Sequence, residues 1–280
     1  MTKPAIFTIG LLLVACKGGG AKESLGPPPP ERATRVVTLA PSLTDLVVAL
    51  GGRSTLVGVS NFDDAPDLQL LPRVGGYSDP SAETVIRLTP DLLLCQPSPG
   101  NKGAVEAIAR SVSVQIFRLE SLADVDLAAQ RIGHLLGKEG EAVRLVASIG
   151  AARQKAREAA KNRSRRIKAV VLFDTNPLIA AGPGSFVHEL LEDAGVQNLV
   201  DKAPQPYPKV PLETLLMRGP DVVFIAPGMN RQDPLQGVPE ELQRFARPLT
   251  STGFLRPGPG VIEALEELGR QADEIAGAHP

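Results

Sequence analysis

The stretch YSDPSAETVIRLTPD, residues 77–91, returns later in the chain as YPKVPLETLLMRGPD, residues 207–221. At a constant offset of 130 positions, one Tyr, Glu, Thr, Pro and Asp are identical in the two copies. Each copy runs into a short apolar segment, LLLC after the first and VVFIA after the second. A short helix followed by a buried strand, written twice, predicts two lobes of similar design.

Short strands and helices alternate on both sides of each copy. RVVTLAPS, residues 35–42, reads as a strand that stops at a proline, and the following SLTDLVVALGG as a helix with Ser42 as its cap. The second half repeats the plan, with the strand KAVVLFD and then the helix GPGSFVHELLEDAG, for which Ser185 is the candidate N-cap. This alternation predicts an α/β protein with parallel-type central sheets flanked by helices.

One long helix is expected between the lobes. From Glu139 to about Lys161, Ala, Arg, Lys and Glu dominate, and only two tolerated glycines interrupt them. At 1.5 Å per residue such a helix is a rod of roughly 35 Å. We therefore expect an N-terminal lobe at 35–120, connecting helices at 121–165 and a C-terminal lobe at 166–280.

The N-terminus reads as a targeting segment. AIFTIGLLLVA, residues 5–15, is too short to span a bilayer as an ordinary helix but suits a secretory signal. It ends in LVAC, which resembles the lipobox of bacterial lipoproteins and makes Cys16 the expected lipidation site. The alternative is an ordinary signal peptide with an incidental cysteine. We expect a signal peptide at 1–16 and a disordered tether at 17–34, where glycines, charges and four consecutive prolines accumulate.

Composition argues against several classes of function. Thirty basic and 31 acidic residues leave a net charge of -1, so no nucleic-acid partner is expected. If Cys16 carries a lipid, Cys95 is the remaining thiol, which excludes an intrachain disulfide and a four-cysteine metal site. No GxSxG elbow, P-loop or HExxH motif is present, so we expect neither an enzyme nor a resident metal or cofactor.

The segments RVVTLAPSLTDLVVALG, VGVSNFDDAPD, RVGGYSDPSAETVIRLTPDLLL and LRPGPGVIEALEEL together resemble the substrate-binding proteins of ABC importers for cobalamin, iron-siderophores and haem. The chain looks closest to the cobalamin-binding members. The resemblance implies the class III periplasmic-binding-protein fold, in which one long rigid helix joins two lobes. It also implies a monomer in the periplasm or cell envelope, here anchored to the membrane, that binds a bulky chelated ligand and has no enzymatic activity.

The same resemblance implies roles for the repeated residues. In that family one glutamate at the outer tip of each lobe docks into arginine pockets of the two permease subunits, and Glu83 and Glu213 match those positions. The alternative is that each glutamate only complements the dipole of its own helix.

A ligand is expected between the lobes, at the carboxyl ends of the parallel strands. In the cobalamin binders, aromatic side chains at positions resembling Tyr77, Tyr207 and Phe254 pack on the macrocycle. For a single tyrosine, the alternative is a loop aromatic that covers its own helix. Haem would take a tyrosine as axial ligand, an anionic siderophore would want an arginine cluster, and a lipoprotein sensor that does not transport remains a third class. The candidate ligand-binding residues are Ser42, Phe62, Asp63, Tyr77, Asn176, Tyr207, Phe254 and Arg256.

Overall fold

The computed structural model describes residues 24–228, 233 and 235–277. Cys16, the signal peptide at 1–16 and the first part of the tether lie outside these residues. The first lobe has one five-stranded sheet with the strand order β1-β5-β4-β2-β3, in which β1 is antiparallel and the other pairs are parallel. Its elements are β1 (Ser24–Leu25), β2 (Val36–Thr38), α1 (Pro41–Ala49), β3 (Leu56–Gly58), α2 (Ala82–Arg87), β4 (Leu92–Cys95), α3 (Lys102–Ile108) and β5 (Ser113–Ile116).

The second lobe is built around one long central strand. This strand is β6. Along one edge it pairs with β9, which in turn pairs with β10. Along its other edge, the first part of β6 pairs with the parallel β8 and the last part with the antiparallel β7. Two helices, α4 (Leu122–Leu136) and α5 (Glu139–Lys161), connect the lobes. The elements of the second lobe are β6 (Ile167–Thr175), β7 (Leu178–Ala180), α6 (Phe186–Asp193), β8 (Val196–Asn198), α7 (Leu212–Met217), β9 (Val222–Ile225), α8 (Glu240–Gln243), β10 (Ala246–Pro248) and α9 (Val261–Gly277).

The long connecting helix is present as predicted. α5 runs from Glu139 to Lys161, and it packs against α4, α6 and α9. A buried carboxylate ties it to the second lobe, because Asp193 at the end of α6 accepts hydrogen bonds from Arg153 (2.5 Å) and Arg157 (2.6 Å) of the rod. The connection is therefore fixed to its neighbours by charge as well as by apolar packing.

One apolar core runs through both lobes. Leu43 of the first lobe, Leu122 of the connection, and Phe186 and Leu265 of the second belong to the same continuous cluster of buried side chains. α9 closes this cluster by lying against both α5 and α6. The lobes thus share their hydrophobic contacts beneath the cleft instead of meeting only at a flexible hinge.

Part of the expected tether is ordered, which corrects the prediction for 17–34. Ser24 and Leu25 form β1 and pair antiparallel with β5. Gly26 follows with φ 79°, and a Cβ there would collide with the carbonyl oxygens of Ala109 and Val112. The prediction weighed glycines, charges and prolines, whereas two residues suffice to add an edge strand to an existing sheet.

The start of α1 also differs from the prediction. The helix begins at Pro41, its N-cap is Ala40, and no side chain caps it. Proline at the first helical position needs no backbone donor, which removes one of the groups that a cap would satisfy. Ser42 instead accepts a hydrogen bond from the amide of Gln96 (3.0 Å).

The aspartate that ends each repeat has a structural role. Asp91 accepts hydrogen bonds from the backbone amides of Thr34 (2.8 Å) and Arg35 (3.1 Å), just before β2. Asp221 accepts one from the amide of Lys168 (2.7 Å), near the start of β6. In each lobe this carboxylate fixes the amino end of a central strand against the strand that follows the repeat.

Candidate functional site

Loops at the carboxyl ends of the strands form the cleft side of both lobes. In the first lobe, Asn101 organises the loop after β4. Its buried amide donates to the backbone oxygens of Tyr77 (3.0 Å) and Gln96 (2.9 Å). The hydroxyl of Tyr77 donates to the oxygen of Pro97 (2.7 Å). The half-buried Tyr77 ring is therefore held by hydrogen bonds at its backbone and at its hydroxyl.

Tyr207 holds the corresponding place in the second lobe. Its ring lies edge-on to Phe173, with 5.2 Å between the ring centroids and an angle of 88° between the planes. The side chain keeps 41% of its surface exposed, yet surrounding protein atoms partly desolvate the hydroxyl. This desolvation, with a smaller contribution from the charge of Glu120, raises the pKa of Tyr207 to about 12.

Glu120 links the two tyrosines electrostatically. Burial is the main cause that raises the pKa of Tyr77, and the Glu120 carboxylate is a further cause, as it is at Tyr207. Glu120 is exposed and comes just before α4, and its Oε1 lies 4.0 Å from Nη1 of Arg118. The Glu120 carboxylate is thus within electrostatic range of both tyrosines, at the point where the chain leaves the first lobe.

Two predicted polar ligands are buried and already paired. Asp63 accepts hydrogen bonds from the amide (2.8 Å) and the hydroxyl (2.7 Å) of Ser60, and burial raises its pKa. Ser42 is buried beside Gln96. These contacts tie the start of α1 to the loop after β4 and organise the loop after β3.

Arg256 joins the two halves of the chain at the side of the cleft. Its guanidinium donates to the carboxylate of Asp64 (2.9 Å) and to the backbone oxygen of Phe62 (3.3 Å), both of which belong to the first lobe. The ring of Phe62 is exposed. Of this group, Phe62 is the side chain that offers free apolar surface.

The partly buried carboxyl of Asp45 is within electrostatic range of this junction. Burial raises the pKa of Asp45 to about 6; Arg256 opposes the shift, and Asp63 and Asp64 add to it. Asp45 lies within α1. Its perturbed environment depends on residues from two distant segments, at 63–64 and at 256, which the sequence does not bring together.

Phe254 does not line the cleft, which corrects its assignment as a ligand contact. Its side chain has no exposed surface and belongs to the shared core. Asn176, in contrast, is exposed at the turn between β6 and β7, where its backbone N–H donates to the Asp174 carboxylate (3.2 Å). Asn176 remains a ligand-binding prediction.

Three further features bear on function: possible metal ligands, possible membrane-spanning helices and the thiol of Cys95. Within residues 24–228, 233 and 235–277, no three His, Cys, Asp or Glu side chains are placed to hold a metal ion. No helix in those ranges combines the length and the apolar composition needed to cross a membrane. Cys95 is buried, and burial raises the pKa of its thiol to about 12, which is typical of an inert packing residue.

Comparison with known proteins gives a consistent result. A family model described as periplasmic binding protein matches residues 36–245. The vitamin B12-binding protein of Salmonella paratyphi A is 26% identical over 258 residues, covering 87% of this chain and 91% of that protein. The periplasmic vitamin B12 binding protein of Vibrio cholerae superposes with a TM-score of 0.71 at 23% identity, over 89% of this chain and 99% of that one. A periplasmic haem-binding protein of Pseudomonas aeruginosa gives a TM-score of 0.77 at 24% identity, over 86% and 93%.

Proposed function

Because the chain belongs to the periplasmic binding protein family and has the predicted class III fold of two α/β lobes joined by a long helix, we propose that it is a lipid-anchored solute receptor of an ABC importer. It binds cobalamin or a similar corrinoid between the lobes and delivers it to the permease. Family membership implies the periplasm or cell envelope. The signal peptide and the anchor at Cys16 are part of the proposal.

The pair of tyrosines carries the proposal for the ligand. Tyr77 and Tyr207 come from opposite lobes, stand at equivalent positions of the two repeats, and each offers an apolar ring with a polar tip. A flat macrocycle edged with amide groups suits two such rings, and we assign further contacts to the exposed Phe62 and Asn176. Arg73 and Arg256 are already bonded to backbone or carboxylate oxygens, which favours a corrinoid over an anionic siderophore.

Retention of a chromophore tests the ligand class. Purified mature protein is incubated separately with cyanocobalamin, haemin and ferrioxamine, passed through a desalting column, and scanned for ligand absorbance. We expect cobalamin to be retained, and Tyr77→Ala and Tyr207→Ala each to weaken binding about tenfold or more, as expected for a central aromatic contact. Val143→Ala, at an exposed position on α5, is the matched control. Retention of none of the three compounds would overturn the proposal.

Haem is the second candidate, because of the hydroxyl of Tyr207. This hydroxyl has no hydrogen-bond partner among the residues that the structure describes, whereas that of Tyr77 is bonded to Pro97. A phenolate can serve as an axial ligand of ferric haem. If haem is the ligand, Tyr207→Phe changes the visible spectrum of bound haemin. If the ligand is a corrinoid, the same variant keeps most of its cobalamin.

Delivery to a permease is tested separately. Glu83 and Glu213 are both exposed, in the first turns of α2 and α7. We expect the double variant Glu83→Arg, Glu213→Arg to lose uptake in cells while the purified protein still retains ligand. Uptake that is unchanged in the double variant would refute the docking role of the two glutamates, whereas uptake that does not depend on the wild-type protein would favour a sensor that binds ligand without transporting it.

A further inference from the structure

The two proposed docking helices differ at the position four residues after the glutamate. In α2, Glu83 forms an ion pair with Arg87 (2.5 Å) on the same exposed face. In α7 the equivalent position is Met217, whose side chain is 87% exposed. Glu213 has no ion pair or hydrogen bond with any residue in the described part of the chain. The repeat therefore presents a paired carboxylate on one lobe and a free one on the other.

The surroundings of α7 extend this difference. Leu216, three residues after Glu213 and therefore on the same side of the helix, lines a groove that continues to α8. The first turn of α8 adds the exposed carboxylates of Glu240 and Glu241 to this surface. The exposed Arg244 lines the same groove. The α7 surface, which we define as Glu213, Leu216, Met217, Glu240 and Glu241, is thus apolar and carries three carboxylates, with Arg244 at its edge.

The α2 surface has another character. Ile86 occupies the position equivalent to Leu216 and is 42% exposed, but Arg87 brings a positive charge to the centre of the face. A partner arginine that approaches Glu83 must share the carboxylate with Arg87 and also meets its like charge. No such competitor stands beside Glu213 in the described residues.

On the premise that the chain docks on a permease, we propose that the α7 surface makes the dominant contact. It fits a partner surface in which an arginine guanidinium lies next to an apolar side chain, so that charge pairing and the covering of Met217 act together. Methionine is flexible and polarisable, which suits an adaptable apolar contact. The α2 surface serves as the weaker, orienting contact, and the two lobes dock unequally.

Exchanging the distinctive residues tests this proposal. The binding partner is the cognate permease with its ATPase subunits, purified and embedded in lipid nanodiscs, and binding is followed by biolayer interferometry at two salt concentrations. Glu213→Gln is expected to weaken binding about tenfold and to slow association at low salt, and Glu83→Gln to weaken it less than about threefold. Met217→Arg, which copies the α2 arrangement, is expected to weaken binding as much as Glu213→Gln. Arg87→Met, the reverse exchange, is expected to strengthen it.

The outcomes separate this inference from the proposed function. Circular dichroism spectra establish that each variant is folded. If the wild-type protein binds the nanodiscs but the two glutamine variants lose affinity equally, or Met217→Arg binds normally, unequal docking is wrong while transport stands. If the wild-type protein does not bind, both the transport proposal and this inference are overturned.

Discussion

Replacing Asp193 by asparagine is expected to lower the free energy of unfolding by about 2 to 3 kcal/mol. The Asp193 side chain is 5% exposed and accepts hydrogen bonds from Arg153 and Arg157 of the connecting helix. A hydrogen bond to a charged group contributes about 1.5 to 3 kcal/mol, and asparagine keeps one neutral acceptor, so the equivalent of one to two such bonds is lost. Both arginines are partly exposed and regain water, which keeps the loss below that of a fully buried pair.

Urea unfolding followed by far-UV circular dichroism measures this loss. Glu274→Gln is the matched control, because Glu274 also contacts two arginines, Arg247 (3.3 Å) and Arg270 (3.2 Å), but all three side chains are exposed. The control is expected to cost less than about 1 kcal/mol. Equal losses in the two variants, or an unchanged midpoint in Asp193→Asn, would refute the reasoning that burial makes this carboxylate important.

Three further changes probe other parts of the molecule. Phe254→Ala empties a fully buried site and is expected to cost about 3 to 5 kcal/mol in the same urea titration. The pKa of Asp45 rises from 3.8 to about 6 on folding, so the folded state holds this proton more tightly and the protein loses stability as pH rises through that interval. Asp45→Asn lacks this loss. Above pH 6 its free energy of unfolding is expected to exceed that of the wild type by up to about 2 kcal/mol, which a higher thermal midpoint would show. Gly26→Ala forces a Cβ against the carbonyl oxygens of Ala109 and Val112, so β1 is expected to detach. Limited proteolysis then removes this segment sooner than in the wild type, while the free energy of unfolding falls by less than about 1 kcal/mol.

Each of these expectations has a contrary outcome. A stable Phe254→Ala protein with weakened ligand binding would return this residue to the cleft. An Asp45→Asn protein with the same pH profile as the wild type would show that this carboxyl stays solvated. Unchanged proteolysis of Gly26→Ala would mean that β1 does not depend on the left-handed backbone at Gly26.

Regular elements with a strong local pattern were predictable. Nothing in α5 competes with helix between Glu139 and Lys161, so its bounds follow from composition alone. The apolar runs after both repeats become the buried strands β4 and β9, because exposing so many consecutive apolar side chains to water would be unfavourable. Ser185 caps α6 as expected, accepting a hydrogen bond from the amide of His188.

Features that depend on distant segments were not predictable in the same way. The sequence around a loop phenylalanine does not show whether its ring packs into the core or lines a cleft. Phe254 is buried because distant segments surround it with apolar side chains. Glu120 has no motif, and its importance arises only because two loops from opposite lobes end near it. β1 exists because β5 offers a free edge, which the residues of the tether do not reveal.

The position of α9 has a consequence for how the chain is made. Residues 261–277 are synthesised after all the other described elements, yet their buried face, which includes Val261, Leu265 and Leu268, completes a core that begins in the first lobe. Until that segment is available, apolar side chains of α5 and α6 have no cover. The nascent chain therefore cannot complete this shared core lobe by lobe, and apolar surface of both lobes stays open to solvent until α9 has been made.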